Sequence, residues 1–193
     1  MGMSAQHSQV VVGFDFSHSG RAALYRAVAL AARAPFHVLH FACIIDPHGG
    51  LAAFPTRHVD AAYADRIHAE LKSIVEQELR AHDIAGKIHF YIHARIGKPA
   101  EEILGVAQDV GADLVIVGSK GLRGIERLVL GSVAEQVVRE AKCTVEVARP
   151  KDYAYVPLLE VSEVEAHPHF HRLHRYSYED SRATERPADW PLY

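Results

Sequence analysis

Glycines recur at a fixed spacing in the second half of the sequence, at Gly118, Gly121 and Gly131, and Ser132 follows the last of them. A glycine has no Cβ, so it tolerates positive φ and lets backbone N–H groups approach a ligand closely. If a helix begins at Ser132, its unpaired N–H groups and partial positive charge favour an anion, to which the serine hydroxyl can donate. This combination is typical of a polyphosphate site, and Lys120 could supply a cation.

Glycine spacing alone leaves a second interpretation open. Glycines after a buried strand are often only turn formers, and a Gly-Ser pair can simply begin a helix. The sequence contains neither G-x-x-x-x-G-K-[ST] nor a G-x-G-x-x-G after its first strand, which excludes the P-loop and the dinucleotide fingerprint. Arg123 and Arg127 are further candidate cations that could instead be solvated, and Glu126 more simply pairs with a neighbouring cation than acts as a base.

Strand and helix patterns alternate over the first 150 residues. Short apolar runs predict five strands, at residues 9–15, 36–45, 87–95, 113–118 and 144–148. Helical spacing and caps predict helices over about 20–33 and 59–82, from residue 99, and over 131–141, with a loop over 46–56. The alternation predicts a parallel α/β sheet with helices on both faces. Ligands bind such sheets beyond the carboxyl ends of the strands, where the strand order reverses.

The composition favours a domain of about 150 residues with a C-terminal extension. The chain has 193 residues, of which 49% are hydrophobic, and a net charge of −3. This charge excludes the strongly basic balance of a duplex-DNA binder, so no nucleic-acid partner is expected. No apolar run approaches the roughly 18 residues of a membrane span, and the first residues do not form an export signal. We therefore expect a cytoplasmic protein without membrane contact. Cys43 and Cys143 are too sparse for a disulfide framework.

The glycine spacing, written G-2x-G-9x-G-S, resembles the signature of the ATP-binding branch of the universal stress protein family. Other segments match at each strand end: VVVGFDFS, LHF, IGKPAEEIL, ADLVIVGSKG, LGSVAEQVV and CTVEVAR. The resemblance covers about residues 8–149. It implies a Rossmann-like sheet of order 3-2-1-4-5, in which the first and fourth strands are neighbours and the order reverses between them.

The resemblance also implies a ligand, ATP, with Mg²⁺ or Mn²⁺ on the phosphates. Asp15 matches the aspartate that contacts the nucleoside, and Phe41 matches a position that borders adenine, chiefly through its backbone. Phe41 is larger than the usual aliphatic residue there, and Lys120 replaces a frequent histidine. The residues matching the loop that holds ribose and phosphates are Gly118, Gly121, Gly131, Ser132 and Val133.

Family members commonly bind ATP with slow or no turnover. The leading hypothesis is an ATP-binding universal stress protein that acts as a nucleotide-dependent sensor or regulator of the stress response, with at most weak ATPase activity. The alternative is a nucleotide-free dimeric adaptor of the same fold. In the family the fifth strand pairs with a second copy, so the resemblance implies a homodimer through the edge strand Thr144–Ala148.

Residues 151–193 lie outside the resemblance and differ in composition. Residues 1–150 hold sixteen basic and sixteen acidic side chains, whereas the extension holds five and eight. It also holds Trp190 and five of the eight tyrosines. We expect an aromatic arm that packs on its own domain or on the dimer mate. A metal site is the less favoured interpretation; its candidate ligands are His167, His169, His171 and His174.

Overall fold

The computed structural model describes residues 7–34, 36–121 and 130–151. The chain divides into two units, Met1–Lys151 and Asp152–Tyr193. All described residues belong to the first unit. No helix within these described parts is long and apolar enough to cross a lipid bilayer.

Seven strands occur in the described residues. They are β1 (Ser8–Gly13), β2 (His37–Ile45), β3 (Gly50–Leu51), β4 (Phe54–Pro55), β5 (His89–Ile96), β6 (Leu114–Gly118) and β7 (Thr144–Ala148). Five of them form a parallel sheet in the order β5-β2-β1-β6-β7, and β3 and β4 form a separate antiparallel hairpin. When only the five strands of the large sheet are counted along the chain, the order is 3-2-1-4-5, which confirms the predicted fold.

Within the described residues four helices connect the strands, and local chemistry fixes where three of them begin. They are α1 (His18–Arg33), α2 (Ala61–Ala81), α3 (Pro99–Val110) and α4 (Ser132–Glu140). Before α1, the Ser17 hydroxyl accepts a hydrogen bond from Gly20 N at 2.9 Å. Before α2, the Asp60 carboxylate accepts from Tyr63 N at 2.8 Å. Pro99 occupies the first position of α3, where its missing N–H costs nothing.

The sheet is covered on both faces, as predicted. Val10 and Val12 of β1 pack into a core with α1 and α2, whereas Val11 packs into a second core with α3 and α4. All three valines are fully buried. Successive side chains of a strand point to opposite faces, so a continuous apolar run feeds both cores at once. The carboxyl ends of the strands are thereby held at one edge of a rigid layer.

Two predicted boundaries are corrected by the structure. The predicted loop 46–56 contains the β3–β4 hairpin, whose two-residue strands are too short to produce a sequence period. The first strand ends at Gly13 rather than Asp15. The strand could not continue past Asp15 in any case, because Phe16 has a φ of 64°, a left-handed conformation that a strand cannot contain.

Candidate functional site

A cavity of about 740 Å³ lies beyond the carboxyl ends of β1, β2 and β6. This is where the parallel sheet reverses its strand order, and the volume is typical of a small-molecule site. The structure brings most of the predicted site residues to this cavity. Those that line it are Asp15, Gly118, Lys120, Gly121, Gly131, Ser132 and Val133.

Asp15 lies in the turn between β1 and α1, and its carboxylate is closely enclosed. Oδ1 accepts a hydrogen bond from Ser17 N at 3.0 Å. A Cβ at Gly20 would stand 2.5 Å from Oδ1, and one at Gly121 would stand 2.9 Å from Oδ2. The carboxylate therefore occupies space that two glycines leave open, next to the strained residue Phe16. It can accept hydrogen bonds from ligand hydroxyl groups in the cavity.

Gly118 and Gly131 contribute to packing, whether or not they also contact a ligand. A Cβ on Gly118 would lie 2.6 Å from the carbonyl carbon of Ser19, so β6 ends in direct backbone contact with the first turn of α1. Gly131 N donates to the carbonyl oxygen of Ser119 at 2.8 Å, which closes the loop between β6 and α4. The sequence pattern alone does not separate these packing roles from phosphate binding.

The first turn of α4 lines the cavity. Its N-cap is Gly131, and no side chain among the described residues caps its first turn. The first N–H groups of an α-helix have no acceptor within the helix and carry a partial positive charge. The residues of that turn, Ser132, Val133 and Ala134, all line the cavity. The arrangement is suited to an anion held by backbone N–H groups.

Of the cations predicted for the site, Lys120 lies within the described residues. Lys120 is half-buried and lines the cavity. Its backbone carbonyl accepts a hydrogen bond from the Ser17 hydroxyl at 3.3 Å, which ties the glycine loop to the start of α1. The other charged or metal-binding candidates lie outside the described residues; they are Arg123, Glu126, Arg127, His167, His169, His171 and His174.

The structure does not bring the side chain of Phe41 to the cavity. Phe41 is fully buried in the core between the sheet and α1 and α2. Its neighbours Ala42 and Ile44 point to the opposite face and line the cavity. The alternation of side chains along β2 gives the cavity surface to aliphatic residues, whereas the large ring packs on the other face of the sheet. The contact of Phe41 with adenine, chiefly through its backbone, stays a prediction.

The sequence analysis also missed one wall of the cavity. It is formed by the segment after β2 and by the β5–α3 connection. Its members are Asp46, Pro47, His48, Gly50, Leu51 and Ala52, together with Gly97, Lys98 and Pro99. The sequence feature that could have indicated this wall was the density of proline and glycine after a strand, but that feature predicts a turn and not the side of a cavity.

Two titratable side chains near the cavity have shifted pKa values. Burial, and then the negative charge of Asp15, raise the pKa of the Cys43 thiol to about 12. This thiol stays protonated at neutral pH, so it is not a thiolate nucleophile. A hydrogen bond to Glu101 at 2.8 Å raises the pKa of Lys98 at the cavity mouth. Lys98 is thus a cation paired with Glu101, on the wall formed by the β5–α3 connection.

Comparison with known proteins finds relatives with this fold and shows the family to which the chain belongs. A universal stress protein of Synechocystis is 26% identical over 150 residues, covering 72% of this chain and 96% of the relative. The solved universal stress protein of Lactobacillus plantarum is 25% identical, with a TM-score of 0.58, covering 76% and 100% of the two chains. A universal stress protein solved in complex with cAMP is 27% identical, with a TM-score of 0.52, covering 75% and 98%. Because residues 7–149 also match the model of the Universal stress protein family, the chain belongs to that family.

Proposed function

We propose that this protein binds an adenine nucleotide, ATP, in the cavity and acts in the cytoplasm as a nucleotide-dependent sensor or regulator of the stress response. One observation carries the proposal: the first turn of α4, without a side-chain cap among the described residues, lines a cavity at the reversal point of the sheet. The related universal stress protein solved with cAMP, 27% identical, supports an adenine nucleotide as the ligand class.

The polarity of the cavity gives the nucleotide one orientation. Its phosphates belong at the start of α4, where N–H groups and the Ser132 hydroxyl can donate to them. Asp15, enclosed by Gly20 and Gly121, is placed to accept hydrogen bonds from ribose hydroxyls. The base then faces Ala42 and Ile44, because an apolar ring gains from burial against aliphatic side chains.

A divalent cation would reach this site mainly on the phosphates. Within the described parts of the chain, no group of three histidine, cysteine, aspartate or glutamate side chains could hold a metal ion. Mg²⁺ keeps several waters and binds through substrate phosphates and one or two protein oxygens, which fits the hydroxyl oxygen of Ser132 beside the phosphates at this cavity. The cation would neutralise phosphate charge and would not require a dedicated protein cage.

Hydrolysis, if present, is proposed to be slow. A rapid ATPase needs a side chain that positions or activates water. The acidic residues that line the described cavity are Asp15 and Asp46, and each already accepts a backbone hydrogen bond, from Ser17 N at 3.0 Å and from His48 N at 2.8 Å. Each carboxylate is thus engaged by a local turn, and we propose that the main function is binding rather than turnover.

Calorimetry with a charge variant tests the site. Ligand-free protein should take up ATP in the presence of Mg²⁺ or Mn²⁺. Ser132→Asp places a carboxylate at the start of α4, where it repels phosphate but suits the helix dipole. We expect the affinity for ATP to fall by roughly tenfold or more, with the thermal midpoint of the ligand-free protein unchanged or raised. Asparagine has nearly the same shape as aspartate but no charge, so Ser132→Asn should retain most of the affinity for ATP.

Two results would contradict the proposal. One is the absence of ATP uptake by the wild type together with the absence of co-purified adenine nucleotide in the denatured protein by mass spectrometry. This outcome would favour the nucleotide-free adaptor. The other is an equal loss of affinity in the Asp and Asn variants, which would show that charge at Ser132 is irrelevant.

We also propose that the protein is a homodimer that pairs through β7. This strand, Thr144–Ala148, lies at the edge of the large sheet, and its hydrogen bonds are made to β6 on one side. The open backbone groups of an edge strand favour pairing with another strand. Sedimentation velocity should give a mass of two chains that falls on dilution. A monomer mass at every concentration would contradict this proposal.

A further inference from the structure

We infer that the β3–β4 hairpin is the base-side wall of the nucleotide cavity and that Tyr63, outside the cavity lining, is the residue that positions it. The inference rests on the proposed nucleotide site and extends it, because it assigns affinity for the base to a segment with no phosphate contact. The hairpin is one of the parts of the cavity that lie outside the glycine signature.

Tyr63 holds the hairpin through its hydroxyl. The hydroxyl donates to the carbonyl oxygen of Phe54 at 2.6 Å and accepts from Leu51 N at 2.9 Å, so it bridges the two strands of the hairpin. The ring itself is 5% exposed. Its backbone N donates to the Asp60 cap of α2, and the Arg66 guanidinium lies 5.1 Å from the ring centroid. Tyr63 therefore fixes the hairpin relative to α2.

The hairpin is shaped to accept this hydroxyl. Gly50 has a φ of +68°, and a Cβ there would lie 2.6 Å from the Tyr63 hydroxyl oxygen. On the other side, the ring of Phe54 packs edge-on against Phe16 at 4.9 Å, and Phe16 packs against Phe14 at 4.9 Å. The hairpin is thus fixed between α2 and the turn that carries Asp15.

The sheet order separates the hairpin from the glycine loop. The hairpin follows β2, whereas the loop follows β6, and β1 lies between these two strands. The phosphate end of a ligand belongs at the loop, so its base extends toward the hairpin. There Gly50, Leu51 and Ala52 line the cavity. These three residues carry no charge, so this part of the wall can pack against a flat apolar ring.

Loss of the Tyr63 hydroxyl should therefore weaken binding of the base and leave phosphate binding intact. Ligand-free wild type, Tyr63→Phe and Ser132→Asp are each titrated with adenosine and with MgATP. Tyr63→Phe should lower the affinity for both ligands by the same factor, up to about tenfold, because the ligand must then order a hairpin that has lost one or two hydrogen bonds. Ser132→Asp should lower the affinity for MgATP and leave that for adenosine unchanged.

Tyr25→Phe is the matched control. Tyr25 lies on α1 and is 45% exposed, so removal of its hydroxyl should leave both affinities unchanged. Thermal midpoints are measured for every variant. A lower midpoint of Tyr63→Phe with unchanged affinity for adenosine would show a merely structural hydroxyl and would overturn the inference, while the proposed nucleotide site would stand.

Hydrogen exchange of the wild type gives a test that does not depend on a variant. Adenosine should slow exchange of the backbone amides of residues 48–52, because the ligand orders its own wall. Unchanged exchange in a protein that binds adenosine would overturn the inference. A wild type that binds neither adenosine nor MgATP would overturn the proposed function and the inference together, which separates this outcome from the other two.

Discussion

Acidification should destabilise the domain through His40, a histidine of β2 that is 6% exposed. Its Nε2 lies 2.8 Å from Gln9 Oε1, and its Nδ1 lies 3.1 Å from His93 Nε2. The Gln9 oxygen can only accept, so Nε2 of His40 carries the hydrogen and Nδ1 accepts from His93. The neutral ring is fully hydrogen-bonded and also stacks on Tyr91 at 5.0 Å. With both rings protonated, two N–H groups would face each other.

Burial, and then the neighbouring His93, lower the pKa of His40 from 6.5 to about 4. Burial, and then the charge of Arg95, also lower the pKa of His93. As the pH falls below 6.5, protons bind the unfolded chain before they bind the folded one. The free energy of unfolding therefore decreases between pH 6.5 and about 4. At 1.36 kcal/mol per pKa unit, His40 accounts for about 3 kcal/mol of lost stability at pH 4.

Urea unfolding of the wild type and of His40→Gln, from pH 7.5 to pH 4, measures this contribution. The glutamine amide can still donate to Gln9 but does not titrate in this range. Carboxylates and histidines that do not contact His40 titrate equally in both proteins and cancel in the difference, which then reports His40 together with its partner His93. We expect the wild type to lose about 3 kcal/mol relative to the variant over this range. Parallel stability curves for the two proteins would refute the assigned cause.

Two further substitutions test the packing that holds the site. Gly118→Ala should destabilise the ligand-free protein by roughly 1–3 kcal/mol, since its Cβ would meet the backbone of Ser19 at 2.6 Å. Gly49→Ala, with open space around its Cβ, is the control in thermal unfolding, and equal midpoints would contradict this prediction. Asp60→Ala removes the hydrogen bond from Tyr63 N that caps α2 and should cost about 1 kcal/mol. An unchanged unfolding free energy in urea would show that the cap does not contribute.

The large sheet could be predicted from sequence because its signals are local. The fifth predicted strand coincides with β7, Thr144–Ala148, and Pro99 begins α3 as expected. The orientation of Phe41 could not be predicted from the residues, because β2 is almost uniformly apolar and its sequence lacks the alternation that marks two different faces. Strand pairing and helix placement decide which side chains of such a run face the ligand.

The two walls of the cavity depend on different kinds of information. The glycine loop and the start of α4 are encoded within a short segment, since Gly131 caps the helix that Ser132 begins. The hairpin is encoded by a tertiary contact, because its two-residue strands cannot be stable alone and the Tyr63 hydroxyl bridges them from α2. Substitution of Ser132 in the first segment should therefore change phosphate binding and leave recognition of the base unchanged. Substitutions in α2 can change recognition of the base although α2 lies outside the cavity lining. The glycine signature of the family does not include these positions.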